Sequence, residues 1–109
     1  MQKLLCQRFD VAPSYVGTTD RLGISRDVLS GGWPLNGLRH PPGAHSCGWY
    51  IWSGKVLSQD PDFFVPVHAT HLFESRPEVS QYLGLPPGWR FLIAPNYEDV
   101  WRDDSLLNI

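Results

Sequence analysis

Seven residues in the middle of the chain restrict its fold more than any others: Gly48-Trp-Tyr-Ile-Trp-Ser-Gly54. Aromatic and β-branched residues bounded by glycine read as a strand. Side chains alternate across a sheet, so Trp49 and Ile51 share one face while Tyr50 and Trp52 share the other. Both faces are apolar, which predicts a central strand covered on both sides. Gly88-Trp-Arg-Phe-Leu-Ile-Ala94 repeats the logic, with Trp89, Phe91 and Ile93 on one face and Arg90, Leu92 and Ala94 on the other. Tyr97-Glu-Asp-Val-Trp-Arg102 then returns as a hairpin strand through Pro95-Asn96, since asparagine tolerates the turn conformation.

The remaining segments fill in around these strands. Leu22-Gly-Ile-Ser-Arg-Asp-Val-Leu29, the turn Ser30-Gly31-Gly32 and Trp33-Pro-Leu-Asn-Gly-Leu-Arg39 read as strand, turn, strand, with Ser25 alternatively capping one short helical turn. Arg39-His-Pro-Pro-Gly-Ala-His-Ser46 is an irregular loop inside one domain. Pro66 limits Phe63-Phe-Val-Pro-Val67 to an edge strand. Thr70 is the expected cap of a short helix through Glu74, and Ser75-Arg-Pro-Glu78 has the form of a capping box opening a second. Val79, Tyr82 and Leu83 make one apolar stripe that Gly84 and Leu85-Pro86-Pro87 terminate. Strands in succession with one inserted short helical segment predict a single small α+β domain over residues 1–109, mainly antiparallel. Its expected core holds Trp49, Ile51, Trp89, Phe91, Val79 and Leu83.

Composition excludes several classes. Fourteen aromatic residues, five of them Trp, give a chain of 109 residues enough apolar area for a core. No run approaches the roughly 18 to 20 apolar residues of a membrane span. The nine Lys and Arg are scattered singly, whereas a nucleic-acid binder clusters them against phosphates. Met1-Gln-Lys-Leu-Leu-Cys6 falls short of the apolar stretch of an export signal, so the cytoplasm is the expected compartment and Cys6 and Cys47 are expected as free thiols. Glu98, Asp99, Asp103 and Asp104, with only Arg102 among them, make the C-terminal segment locally acidic.

Chemistry-bearing constellations are sparse. His40, His45 and Cys47 with His68 and His71 offer four or more zinc ligands on paper, but the spacing matches no recognised finger, and no metal or other cofactor is expected. Cys47 with His45 or His68 lacks a Cys/His enzyme signature and reads as a small buried hydrophobe. The paired carboxylates Asp60/Asp62, Glu98/Asp99 and Asp103/Asp104 are explained by a turn and a polar terminus, so no catalytic residue is assigned. Gly31-Gly32 lacks a phosphate-cradling context. Spare aromatics allow a ligand- or peptide-binding module lined by Tyr50, Trp52 and Trp89. The second apolar face of the Trp49–Trp52 strand must meet a loop, a helix, a partner or a second copy in a homodimer.

The ordered set Ile24-Ser-Arg-Asp-Val-Leu-Ser-Gly-Gly-Trp-Pro34, Ser46-Cys-Gly-Trp-Tyr-Ile-Trp-Ser-Gly54, Asp60-Pro-Asp62, Pro77-Glu-Val-Ser-Gln-Tyr-Leu83 and Pro87-Gly-Trp-Arg-Phe91 resembles immunity protein family thirty-three of bacterial polymorphic-toxin systems. The resemblance runs from residue 22 to about 104. The family pattern often carries an acid before the Gly-Trp and another after the Ser-Gly; Cys47 and Lys55 stand there in this chain. The resemblance implies a non-enzymatic protein that neutralises a cognate toxin by binding and occlusion. The alternative is an aromatic-rich ligand- or peptide-binding module, and an enzyme or zinc protein ranks third. The expected partner surface is Tyr50, Trp52, Tyr97 and Trp101, flanked by Glu98, Asp99, Asp103 and Asp104.

Overall fold

The Gly-bounded aromatic segment does lie at the centre of a sheet. The computed structural model describes residues 1–108. Its regular elements are α1 (Gln2–Arg8), β1 (Arg21–Ile24), β2 (Leu35–Arg39), β3 (Trp49–Ser53), β4 (Val65–His68), α2 (Ala69–Ser75), α3 (Pro77–Ser80), β5 (Trp89–Ala94) and β6 (Tyr97–Arg102). The six strands form one sheet in the order β4-β1-β3-β2-β5-β6. Only β1 and β3 run parallel, so the α+β, mainly antiparallel architecture is as the sequence indicates.

The two strands expected either side of Ser30-Gly31-Gly32 form, but they are not sheet neighbours, because β3 lies between them. The chain leaves β1 at Ser25, whose N–H donates to the Ile51 carbonyl at 2.9 Å and whose hydroxyl donates to Asp27 Oδ1 at 2.6 Å. Those bonds dock a 3-10 turn, Arg26–Val28, against the end of β3 and bury Val28. The short helical turn after Ser25, the alternative noted in the sequence, is therefore what carries the chain across.

The helical layer covers one face. Leu22, Ile24, Leu35, Trp49, Ile51, Phe91 and Ile93 point from the sheet into it and meet Leu5, Cys6, Leu72, Val79, Tyr82, Leu83 and Leu85. Gly37 in β2 lies beneath the Phe91 ring, and a methyl group there would overlap that ring. The stripe Val79, Tyr82, Leu83 is buried as its spacing indicates. Trp89 is only half-buried, at the rim of this core, with the Phe9 ring 6.2 Å away.

Helix starts depart from the expected caps. Helix α2 begins at Ala69, not after Thr70, because the N–H groups of Ala69 and Thr70 already donate to the carbonyls of Asp20 and Thr18. A side-chain cap is redundant where backbone carbonyls fill those first-turn vacancies. Ser75 closes α2 instead of opening α3; Pro77 takes the first position of α3 and forces Arg76 out of helical geometry. Glu78 accepts from Arg76 Nε at 2.8 Å, so the capping box is replaced by an ion pair. Helix α1 carries no sequence signal singled out above. It is fixed by Gln2, whose amide donates to the Val16 carbonyl at 3.0 Å and accepts from the Val16 N–H at 2.9 Å, as a neighbouring strand would.

Candidate functional site

Directly paired residues in antiparallel strands share a face, so register decides which candidate residues meet. One row crosses the uncovered face from Trp101 through Arg90 and Leu38 to Tyr50. The next runs from Asp99 through Leu92 and Asn36 to Trp52. Tyr97 stands on the same face opposite Ala94, whereas Glu98 pairs with Ile93 and belongs to the helix-covered face. Register thus assembles Tyr50, Trp52, Tyr97, Asp99 and Trp101 on one surface and removes Glu98 from it.

That surface has a covered half and an open half. Over β3, Phe64 packs edge-on against Tyr50 and Trp52 at ring distances of 5.2 and 6.3 Å, with Phe63 and Leu106 completing a second small core. Trp52 is only 4 % exposed and its Nε1 has no hydrogen-bond partner, so its ring supports the surface from beneath rather than presenting itself. A cleft of about 330 Å³ opens beside it between Leu38, His40, Tyr50, Leu57 and Phe64. Over β5 and β6 the face is open: Tyr97 is 53 % exposed, Asp99 is exposed, and Trp101 is half-buried beneath the Arg90 guanidinium 5.4 Å from its ring.

The local acidity seen in the sequence is largely neutralised by arginines, Arg8 and Arg90 from other parts of the chain and Arg102 from the segment itself. Glu98 accepts from Arg8 and from the Tyr82 hydroxyl, Asp103 pairs with Arg90 at 3.3 Å, and Asp104 with Arg102 at 2.6 Å. Among the described residues Asp99 alone of the four makes no side-chain hydrogen bond or ion pair. Hydrogen bonding from Arg8, and next from Tyr82, holds the Glu98 carboxyl below the usual range. Burial and the Glu98 contact push the Tyr82 phenol up, so it remains a donor at neutral pH.

A depressed carboxyl pKa contributes stability that is present above the unfolded value of about 4.3 and is lost as pH falls through the folded value. Glu98→Gln is therefore expected to lower Tm at pH 7 and to flatten the fall of Tm between about pH 5 and 3. Parallel Tm profiles for the two proteins over that range would show that Glu98 is not an acid-sensitive strut.

The other candidates stay apart. Among the described residues no three His, Cys, Asp or Glu side chains are grouped to hold a metal ion. His68 and His71 lie with rings 6.5 Å apart, and His40 Nδ1 bonds to the Leu106 carbonyl. Both cysteines are free thiols. Burial pushes the Cys47 thiol up, against smaller opposing effects of the Trp49 backbone N–H and of Arg39, so it is a poor source of thiolate. Cys47 lines a polar cleft of about 600 Å³ with Asp20, Arg21, Arg39, His45 and Ser46.

Arg39 is the structural residue that the sequence reading passed over. It is 4 % exposed, and its Nε and Nη1 donate to the carbonyls of Cys47, Ser14, Leu83 and Leu85 at 2.8 to 3.2 Å. Strand alternation held the clue, because Leu35, Gly37 and Arg39 share the face that Trp49 also occupies.

The Imm33-like domain matches residues 1–103. The chain belongs to the Imm33-like family. No curated protein and no solved structure matches it. The match extends the resemblance seen from residue 22 onward back through the Val16 segment and α1. The Imm33-like domain thus includes Arg8 and Gln2, which tie the amino-terminal helix to β6 and to the Val16 backbone. None of its described helices is long and apolar enough to cross a membrane.

Proposed function

We infer that this protein is an immunity protein that neutralises a cognate toxin by binding it in the cytoplasm without altering it chemically. Membership of the Imm33-like family carries this reading. The open β5–β6 face supports it, since rigid aromatics beside charge are what a compact protein uses to anchor a partner. Tyr97, Asp99 and Trp101 form the centre of the proposed contact, with Tyr50 at its margin and Trp52 beneath. Asp103 and Asp104 lie at its rim but are spent on arginines, as Glu98 is on the opposite face, so Asp99 is the acid available to a basic toxin group.

The test is co-expression with any toxin domain found encoded beside the gene, scored for growth and for a co-purifying complex. Trp101→Ala and Tyr97→Ala are expected to weaken the complex by about thirtyfold or more each, as truncated interface aromatics do. Asp99→Asn is expected to slow association and reduce its salt dependence, with dissociation little changed. Protection without a complex, accompanied by a covalently altered toxin, would replace occlusion with an enzymatic reading. The mostly apolar cleft beside Tyr50 and Phe64 favours the second reading, a ligand- or peptide-binding module. Failure to protect, together with saturable binding of an apolar peptide at that cleft, would favour it.

A further inference from the structure

Hydrogen-bond parity distinguishes the two edges of the sheet. Alternate residues of an antiparallel strand turn N–H and C=O toward the neighbour, and the others turn theirs away. At the β4 edge, Ala69 N–H donates to the Asp20 carbonyl at 2.8 Å, in the same register that pairs Arg21 with His68. Val65 and Val67 therefore bond inward, and Pro66 and His68 face outward. Proline has no N–H to offer, so this edge is closed to a continuous ladder. At the β6 edge, Asp103 N–H donates to the Gly88 carbonyl at 2.6 Å, in the register that pairs Trp89 with Arg102. Tyr97, Asp99 and Trp101 consequently bond to β5, while Glu98, Val100 and Arg102 present their N–H and C=O groups outward. The six β5–β6 pairs run without a bulge, and no proline guards this edge.

The geometry points to β6 as a pairing edge whose occupant is a second copy of this chain. Two antiparallel β6 strands on a twofold axis through Val100 put Glu98 of each copy opposite Arg102 of the other, and Asp99 opposite Trp101. Every outward N–H from Glu98 to Arg102 then meets an outward C=O. Sliding the pair by two residues in one direction sets Asp99 against Asp99, and in the other sets Asp99 against Asp103, contacts of like charge that disfavour both. The intramolecular bonds prepare the favoured register. Glu98 stays held by Arg8 and Tyr82 and takes the other copy's Arg102 as an added partner, for which Arg102 gives up its exposed pair with Asp104. The product is a continuous twelve-stranded sheet that brings the Tyr97, Asp99 and Trp101 surfaces of both copies side by side. This pairing stands whether or not that surface binds a toxin.

An interface made by one strand edge is small and belongs to the weak class, so the test spans concentrations from about 1 µM to 1 mM. Sedimentation equilibrium of the full chain is expected to show a monomer–dimer equilibrium. Amide exchange is expected to show Glu98, Val100 and Arg102 gaining protection with concentration while Tyr97, Asp99 and Trp101 are protected throughout. Arg102→Glu, at a largely exposed side chain, should weaken dimerisation by about tenfold, and Arg102→Lys should restore it. Unchanged circular-dichroism melts of both variants would exclude a folding defect as the cause. A monomer at every concentration, or a dimer in which the three outward amides stay unprotected, overturns the proposal. Protection of those amides only when the toxin is added reassigns the edge to a toxin strand and overturns it equally.

Discussion

Trp49→Ala is expected to cost about 3 to 5 kcal/mol of unfolding free energy, a large part of the roughly 5 to 15 kcal/mol that holds a domain of this size folded. The ring is fully buried at the junction of β3 with the helical layer, 5.4 Å from Phe91, and its Nε1 donates to the Leu83 carbonyl at 2.8 Å. Truncation leaves a cavity that the stiff central strand cannot close, and it removes one of the two donors to Leu83. Trp49→Phe keeps much of the ring and loses the N–H, so its cost is expected to be smaller, about 1 to 3 kcal/mol. Urea titrations followed by far-ultraviolet circular dichroism measure both, and a midpoint for Trp49→Ala within error of the parent would place Trp49 outside the core.

The same residue shows how much of the fold was legible in the sequence. A strand of Trp, Tyr, Ile and Trp between glycines has one physical solution, the middle of a sheet covered on both sides, and β3 takes it. The β5–β6 hairpin was equally readable, because Asn96 adopts a φ of 61° that few other residues tolerate. What was hidden depends on atoms distant in sequence. Nothing local to Leu22–Arg39 announces that β3 will enter between β1 and β2, since that placement comes from Ser25 bonding to Ile51 and Ser53. Nothing local to Thr70 shows that Thr18 and Asp20 already occupy its helix start.

The candidate site divides in the same way. Alternation places Tyr97, Asp99 and Trp101 together, and the same alternation, applied to Glu98, already assigns it the other face. The acidity of the segment looked like a steering field only while Arg8 and Arg90 were unplaced; once the fold brings them to Glu98 and Asp103, one unpaired carboxylate remains. Charge read along a chain counts residues, whereas a partner meets the balance left after internal pairing.

Arg39→Met, which keeps length and apolar volume while deleting the guanidinium, is expected to cost on the order of 3 kcal/mol. Two terms oppose each other. Burial lowers the basicity of Arg39, and relieving a buried charge of its desolvation is favourable in itself. Against that, the buried carbonyl of Leu85 and the half-buried carbonyls of Ser14 and Cys47 lose a charged donor at 2.8 to 3.0 Å; a buried acceptor left unsatisfied costs about 1 to 3 kcal/mol, and the two half-buried ones cost less because water can reach them. The losses exceed the relief because Arg39 gathers carbonyls from three segments, before β1, before β3 and before β5, of which the first and last are otherwise joined here by the bond from Ser14 N–H to the Gly84 carbonyl. Amide exchange should therefore show the stretch around Ser14 loosening before the sheet does, where a uniform loss across the chain would make Arg39 an ordinary packing residue. The Leu83 carbonyl accepts from both Trp49 and Arg39, and the Arg39 guanidinium lies over the Trp49 ring at 5.7 Å. Combining Arg39→Met with Trp49→Phe should consequently depart from additivity by more than about 0.5 kcal/mol, the range expected of residues that share a partner. Strict additivity would mean that the two side chains stabilise the junction independently, without coupling through the shared carbonyl.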